Sequence, residues 1–221
     1  VSEPAKKKNV RAVLVEDHLM FREWLGHMLS KGGTISVCGE ADNIADGIEL
    51  IRKTRPDIAI VDLTLHGSSG LELIKNLKAL GLDVPVLVLS MHDEELYAER
   101  VLRAGARGYI SKHEASSTLV QAVEKILGGE VYLPGKITAQ ILKRLSGGGP
   151  AKPAGLALLA DRELEVFQLI GKGYNARRIA DQLHLGESTV ETYRGRIKEK
   201  LGIRSAAELY QHAAVWASRL K

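Results

Sequence analysis

The spacing of hydrophobic positions changes character once along this chain. In the first half, short β-rich runs alternate with stretches of helical period. Val10–Val15 is such a run, closed by Glu16-Asp17, and Leu19, Trp24, Leu25, Met28 and Leu29 then recur at helical spacing. Ile35–Glu40 reads as a second strand and Ala45–Ile51 as part of a helix. Arg55-Pro56-Asp57 makes a turn before Ile58-Ala59-Ile60-Val61, which is too short for a helix and apolar on both faces. A helix over Gly70–Leu80, a doubly buried strand over Val84–Leu89, a helix over Glu94–Ala104, a strand over Gly108–Ile110 and a helix over Ser117–Leu127 complete the series. Alternating strands and helices imply a five-stranded parallel sheet covered on both faces. Right-handed crossovers then bring every strand's C-terminal end to one edge, where sites in open α/β sheets form.

From Leu159 onward the β alternation is gone. Leu164, Phe167, Leu169 and Ile170 share one helix, stopped by Gly171 and Gly173, and Ile179, Ala180 and Leu183 share a second. A turn over His184–Gly186 leads to a third helix with Val190, Ile197 and Leu201 on its buried stripe. The small Ala180 lets two helices cross closely, and Val190 pins the later one, which is helix-turn-helix spacing. Ser205 caps a fourth helix through Leu209, Ala213 and Ala217. Between the halves, Ser146–Gly155 holds three successive glycines and two prolines, a composition that cannot sustain a helix and reads as a tether.

Charge sharpens this division. Residues 1–130 carry 16 Lys and Arg against 19 Asp and Glu, net −3, whereas residues 131–221 carry 15 against 8, net +7. An acidic half joined to a basic one is the pattern of a regulated polyanion binder. With 221 residues the chain accommodates two domains. The apolar run Val84–Met91 is far too short to cross a bilayer, and Lys6-Lys7-Lys8 leads into ordinary alternation, so the expected compartment is the cytoplasm. The lone Cys38, beside Ile35 and Val37, is expected to be buried and inert.

The candidate chemistry sits on the sheet edge. Strand one ends at Glu16-Asp17, strand three at Asp62 and strand four at Ser90, and Lys112 follows strand five. Three carboxylates on one point cannot all stay ionised without a cation, and hard oxygens with room for water suit Mg²⁺. A lysine and a hydroxyl beside them supply donors for phosphoryl oxygens. The set suits phosphoryl transfer onto Asp62.

On the third helix of the second half, advancing about 100° per residue from Val190 turns Ser188, Glu191, Thr192, Gly195, Arg196 and Glu199 outward, with Thr189, Lys198 and Lys200 on the flanks. Flanking cations suit phosphates and the central side chains suit base edges, with Arg177 and Arg178 on the second helix as further phosphate contacts. Glu191 is a candidate acceptor for a cytosine amine or else a cap of its own helix in a box with Ser188. Gly195, at mid-helix, suggests close approach of a base pair.

Leu14-Val15-Glu16-Asp17-His18, Ile60-Val61-Asp62-Leu63, Val88-Leu89-Ser90 and Gly108-Tyr109-Ile110-Ser111-Lys112 resemble the motifs of a response-regulator receiver domain, in order and over residues 10–128. Arg162-Glu163, Glu165-Val166, Gly173, Ile179-Ala180, Leu183, Ser188-Thr189-Val190, Lys200-Leu201 and Arg204 resemble a LuxR-type output domain, and the whole chain a NarL/FixJ-family response regulator. The resemblance implies a flavodoxin-like receiver at 8–130, a linker helix and tether at 131–158 and a four-helix helix-turn-helix domain at 159–221. It further implies phosphorylation of Asp62 by a histidine kinase, Mg²⁺ on Glu16, Asp17 and Asp62, Ser90 and Tyr109 as a switch pair, Lys112 on the phosphoryl group, and a homodimer on double-stranded DNA. No membrane partner and no enzymatic turnover are expected. The competing readings are an Asp-nucleophile phosphotransferase or phosphatase and a receiver-gated protein- or RNA-binding module. The first needs a general acid/base carboxylate two residues after Asp62, where this chain has Thr64. Met91, next to Ser90, is expected to cover the acceptor or simply to pack.

Overall fold

A computed structural model of the protein describes residues 9–65, 68–92, 94–146 and 155–218. The chain divides into two compact units between Lys143 and Arg144.

The first unit is built on five parallel strands, β1 (Val10–Val15), β2 (Ile35–Ala41), β3 (Ile58–Asp62), β6 (Val86–Ser90) and β7 (Gly108–Ser111), in the order β2-β1-β3-β6-β7. β3 and β6 are buried throughout, as strands with both faces covered must be. Helices α1 (Leu19–Ser30) and α5 (Ala115–Leu127) close over one face, where Leu14, Leu25, Leu29, Ile60, Leu89 and Leu119 join a single apolar core. Helices α2 (Ile44–Thr54), α3 (Gly70–Ala79) and α4 (Glu94–Ala104) line up along the other. Local chemistry sets the boundaries. Asn43 caps α2 by accepting from Asp46 N at 2.9 Å, and α2 ends at Arg55 in the left-handed region (φ 44°) just before Pro56. Pro85 delays β6 by two residues relative to the expected start at Val84. Cys38 is half-buried on the edge strand β2, less enclosed than its apolar neighbours suggest.

One feature was not expected. The chain after Asp62 makes a small antiparallel hairpin, β4 (Thr64–Leu65) with β5 (Ser68–Ser69), which returns so tightly that Gly70 N donates to Leu63 O at 2.8 Å. A Cβ at Gly70 would lie 2.2 Å from the Asp62 carbonyl oxygen. Gly70→Ala is therefore expected to cost about 1–3 kcal/mol by overpacking and to displace the end of β3, as read by thermal unfolding. Helix α6 (Gly135–Ser146) lies within the stretch where a linker helix was expected; its Ile137 is buried, and Lys136 Nζ lies 2.6 Å from Glu95 Oε1 on α4. Residues 147–154 of the expected tether lie outside the described residues, as does Asp93, whose side chain suits the cap of α4.

The second unit is all-helical. A short 3-10 turn over Gly155–Leu158 leads to α7 (Asp161–Gly171), α8 (Ala176–Leu183), α9 (Glu187–Leu201) and α10 (Ala206–Ser218). Leu164, Phe167, Ile179, Ala180, Val190, Ile197, Leu209 and Ala213 form its core. The missing hydroxyl at Ala160 is answered from inside the helix: Glu163 reaches back to accept from Ala160 N at 2.7 Å. Its other partner is Lys200 Nζ at 2.6 Å, which ties α7 to α9 through a buried carboxylate. Burial pushes the Glu163 carboxyl up, and the hydrogen bonds from Lys200 and Ala160 more than offset it, so its pKa lies below the ordinary value. Gly186 begins α9 without a side-chain cap, and Ser205 accepts from Glu208 N at 3.1 Å at the start of α10. Among the described residues no helix is long and apolar enough to cross a membrane.

Candidate functional site

The C-terminal edge of the sheet gathers the chemistry. β1 delivers Glu16 and Asp17, β3 delivers Asp62, β6 delivers Ser90, and β7 leads directly into Lys112. Glu16 and Asp62 are 1% and 4% exposed, so neither charge is solvated in the ordinary way. Lys112 stands between them, with Nζ donating to Asp62 Oδ2 at 2.9 Å and lying 2.7 Å from Glu16 Oε2. The second contact is an ion pair off the hydrogen-bonding direction, so this buried Glu16 oxygen has no hydrogen-bond donor among the described residues. One ammonium does not balance two carboxylates out of water. Burial first, and the charge of Glu16 next, raise the Asp62 pKa to about 6 against the pull of Lys112.

Ligand atoms of Glu16, Asp17, His18 and Asp62 lie within 4.8 Å of one another. Three hard carboxylates, an excess of negative charge and a buried oxygen without a donor fit an oxygen-seeking divalent cation. His18 was not singled out from the sequence. Its Nδ1 sits 2.8 Å from Asp17 Oδ1, so the imidazole holds the carboxylate at the rim of the cluster.

Across the site, Ser90 and Tyr109 are fully buried. Ser90 Oγ accepts from His92 N at 2.9 Å, and Tyr109 OH donates to His92 O at 2.9 Å, so both members of the expected switch pair meet the same residue from inside. His92 carries no motif that marks it in the sequence. Its Nε2 lies 2.8 Å from Thr64 Oγ1 and its ring 4.9 Å from that of Tyr97, so it bridges the loop after β6 to the hairpin after Asp62. Met91, expected to cover the acceptor or simply to pack, is 62% exposed and so is not packed into the core.

In the second unit, Ser188, Glu191, Thr192, Gly195, Arg196 and Glu199 are all exposed along α9, with Arg177 and Arg178 exposed on α8. Two cations near that face have internal work. Lys200, expected on its flank, is held by Glu163, and Arg194, facing the core side, lies 2.5 Å from Glu191 Oε1 and 5.2 Å from the Tyr210 ring centroid. The box between Ser188 and Glu191 is not formed; the Glu191 carboxylate turns to Arg194 instead. Arg178 stacks over Tyr174 at 3.8 Å, which orients its guanidinium at the start of α8. Gly195 has no heavy atom within 4 Å of where a Cβ would be.

Two family models match the chain: response regulator receiver domain over residues 12–124 and bacterial regulatory proteins, luxR family, over residues 157–213. A Pseudomonas aeruginosa protein described as a transcriptional regulator is 37% identical, with 92% of this chain and 96% of that protein aligned. The oxygen regulatory protein NreC of Staphylococcus carnosus is 32% identical over 92% of this chain and 96% of its own. RcsB from Salmonella enterica serovar Typhimurium, solved on promoter P1flhDC with phosphomimetic BeF3−, matches with TM-score 0.66 at 22% identity, over 94% of this chain and 100% of that one, a likeness of fold.

Proposed function

This chain belongs to the response regulators, a receiver domain joined to a LuxR-family regulatory domain, and on that premise we propose that a histidine kinase phosphorylates Asp62 and that the modification governs binding of the second unit to double-stranded DNA. The observation that carries the reading is the Glu16–Lys112–Asp62 arrangement: a buried acceptor carboxylate with an ammonium 2.9 Å away and a second carboxylate behind it.

In the proposed reaction an Asp62 oxygen attacks the phosphorus of a phosphohistidine. The P–N bond breaks, an acyl phosphate forms, and the released imidazole takes up a proton. Glu16, Asp17 and Asp62 are the residues suited to hold Mg²⁺, which when bound neutralises charge on the transferring group. Lys112 then moves a donor from Asp62 to a phosphoryl oxygen, and the Ser90 hydroxyl supplies another. Withdrawal of Ser90 Oγ from His92 N would loosen the same loop that Tyr109 holds through His92 O. Thr64 offers no carboxylate to activate water, which favours storage of the phosphoryl group over turnover and a regulator over an enzyme.

For DNA we assign base-facing roles to Ser188, Glu191, Thr192, Gly195 and Arg196, and phosphate contacts to Arg177, Arg178, Thr189 and Lys198. Lys200 serves the fold through Glu163 first. We assign residues 8–130 to the receiver, 131–158 to the linker and 159–221 to the DNA-binding domain, with action in the cytoplasm as a homodimer on two half-sites. Intact mass after incubation with acetyl phosphate and Mg²⁺ tests the acceptor. One added phosphoryl group, lost on hydroxylamine treatment, is expected, and an unchanged mass would sink the assignment. Because an ionised Asp62 is the nucleophile, uptake should slow as pH falls through about 6 unless a cation lowers its pKa.

A further inference from the structure

The buried lysine of the site has an aromatic neighbour that neither the motifs nor the acidic cluster drew attention to. Lys112 Nζ lies 4.5 Å from the centroid of the Phe21 ring. Phe21 belongs to the first turn of α1 and is stacked on Trp24, one turn further on, with centroids 5.2 Å apart and planes 27° from parallel. The Lys112 side chain is only 9% exposed and otherwise meets Glu16 and Asp62. Resting on the reading of Asp62 as phosphoacceptor, we propose that Phe21 is a positioning residue for phosphoryl transfer, whose ring face seats the Lys112 ammonium beside the acceptor carboxylate.

The reason lies in what a ring face takes from an ammonium. A π-face attracts the charge through its quadrupole, most strongly where water is excluded. It does so without a directed lone pair, so the three N–H donors of the lysine stay available. A carbonyl or carboxylate at the same spot would hold Lys112 as well but would have to surrender a hydrogen bond when phosphoryl oxygens arrive. The ring holds the charge while leaving its donors to be redirected. The flexible lysine stem otherwise loses considerable rotamer freedom on being fixed, and a seat that exists before the phosphodonor binds removes that loss from the transfer step. Trp24, stacked on the ring, restrains it. The adjacent cation Arg22 does not compete for the seat, since its guanidinium donates to the Glu16 carbonyl and lies 3.2 Å from Glu40 Oε2.

The test uses the full chain with phosphoramidate and Mg²⁺, following phosphoryl uptake by intact mass. Phe21→Leu keeps an apolar side chain but removes the quadrupole, and should slow uptake about two- to thirtyfold, the range cation–π contacts span from exposed to desolvated. Phe21→Tyr keeps the face and should recover most of the rate. In a Lys112→Ala background, where there is no ammonium to seat, Phe21→Leu should slow uptake no further. The Lys112 ε-methylene protons of the native protein should resonate upfield through the ring current, a readout that stands even if Phe21→Leu fails to fold. Equal slowing in both backgrounds, no slowing at all, or unshifted ε-protons would each overturn the proposal. A native protein that takes up no phosphoryl group would remove the acceptor reading and this inference with it, whereas normal native uptake with an indifferent Phe21→Leu removes only the seat.

Discussion

Asp62→Asn is expected to abolish phosphoryl uptake and, in chelator at pH 7–8, to make the receiver more stable than the native protein by about 3 kcal/mol. Both effects come from one carboxyl group. Its pKa stands at about 6 in the folded chain against 3.8 as the ordinary value, mainly because burial opposes the charge and Glu16 repels it. The folded state therefore binds the Asp62 proton more tightly than the unfolded state does. The stability associated with that proton is fully present below about pH 4 and is lost as pH rises through about 6, so at neutral pH the ionised group is a standing cost. Asparagine fills the same volume without the charge. The advantage of Asp62→Asn should shrink as the pH of the unfolding experiment is lowered towards 4, where the native carboxyl is neutral too. Added Mg²⁺ should close the gap from the other side, stabilising the native protein by mass action and the variant far less. Chemical denaturation of both proteins at pH 4 and pH 7.5, with and without Mg²⁺, reads all of this. A variant less stable than the native protein at pH 7.5 in chelator would show that Lys112 compensates the acceptor fully.

Gly195→Ala should separate folding from recognition in the second unit. Glycine in the middle of α9 costs about 1 kcal/mol relative to alanine, and a Cβ there meets nothing within 4 Å in the free protein. The substitution should therefore raise the unfolding temperature of that unit. If a DNA backbone or base edge approaches α9 at this point, the added methyl meets it directly, and affinity for a selected site should fall at least about tenfold, the loss of one good contact. A more stable protein that binds DNA worse is the expected pair of results, measured by calorimetry and by fluorescence anisotropy at fixed salt. Unchanged affinity would mean that Gly195 lies off the interface and would move the base-reading role towards Ser188 and Thr192.

What the sequence made legible depended on whether a feature was local and repeated. Asp62 was readable because four apolar residues without alternation, Ile58-Ala59-Ile60-Val61, could only be a buried strand, and a charge at the end of such a strand falls on the functional edge. The same logic reached Glu16, Asp17, Ser90 and Lys112, which the fold brings to one edge. The hairpin after Asp62 was not readable, because two-residue strands carry no period and their pairing is imposed by the return at Gly70. Nor was the bridging place of His92, since its partners Thr64 and Tyr97 lie on different elements and only the tertiary fold brings them within reach. In the second unit a helical wheel identified the outward positions of α9 from Val190 alone. It could not say where long cationic side chains would end. Lys200 starts from an exposed position and turns to a buried carboxylate, while Arg194 is absent from the outward set and orders Glu191 from the side. The Lys112 contact with Phe21 is of the same kind, a meeting of two residues that share no motif.

The central claim is that charge at Asp62 changes what the second unit does to DNA. The most direct measurement is the affinity of the two-domain chain for a DNA site selected in vitro, by fluorescence anisotropy at constant salt, before and after phosphorylation with acetyl phosphate and Mg²⁺, with Asp62→Asn carried through the same treatment. Affinity or cooperativity on a two-half-site duplex that changes several-fold with phosphorylation, in the native chain and not in Asp62→Asn, is the predicted result. Binding that is indifferent to a verified phosphoryl group on Asp62 would contradict the account and leave the two units without the proposed coupling.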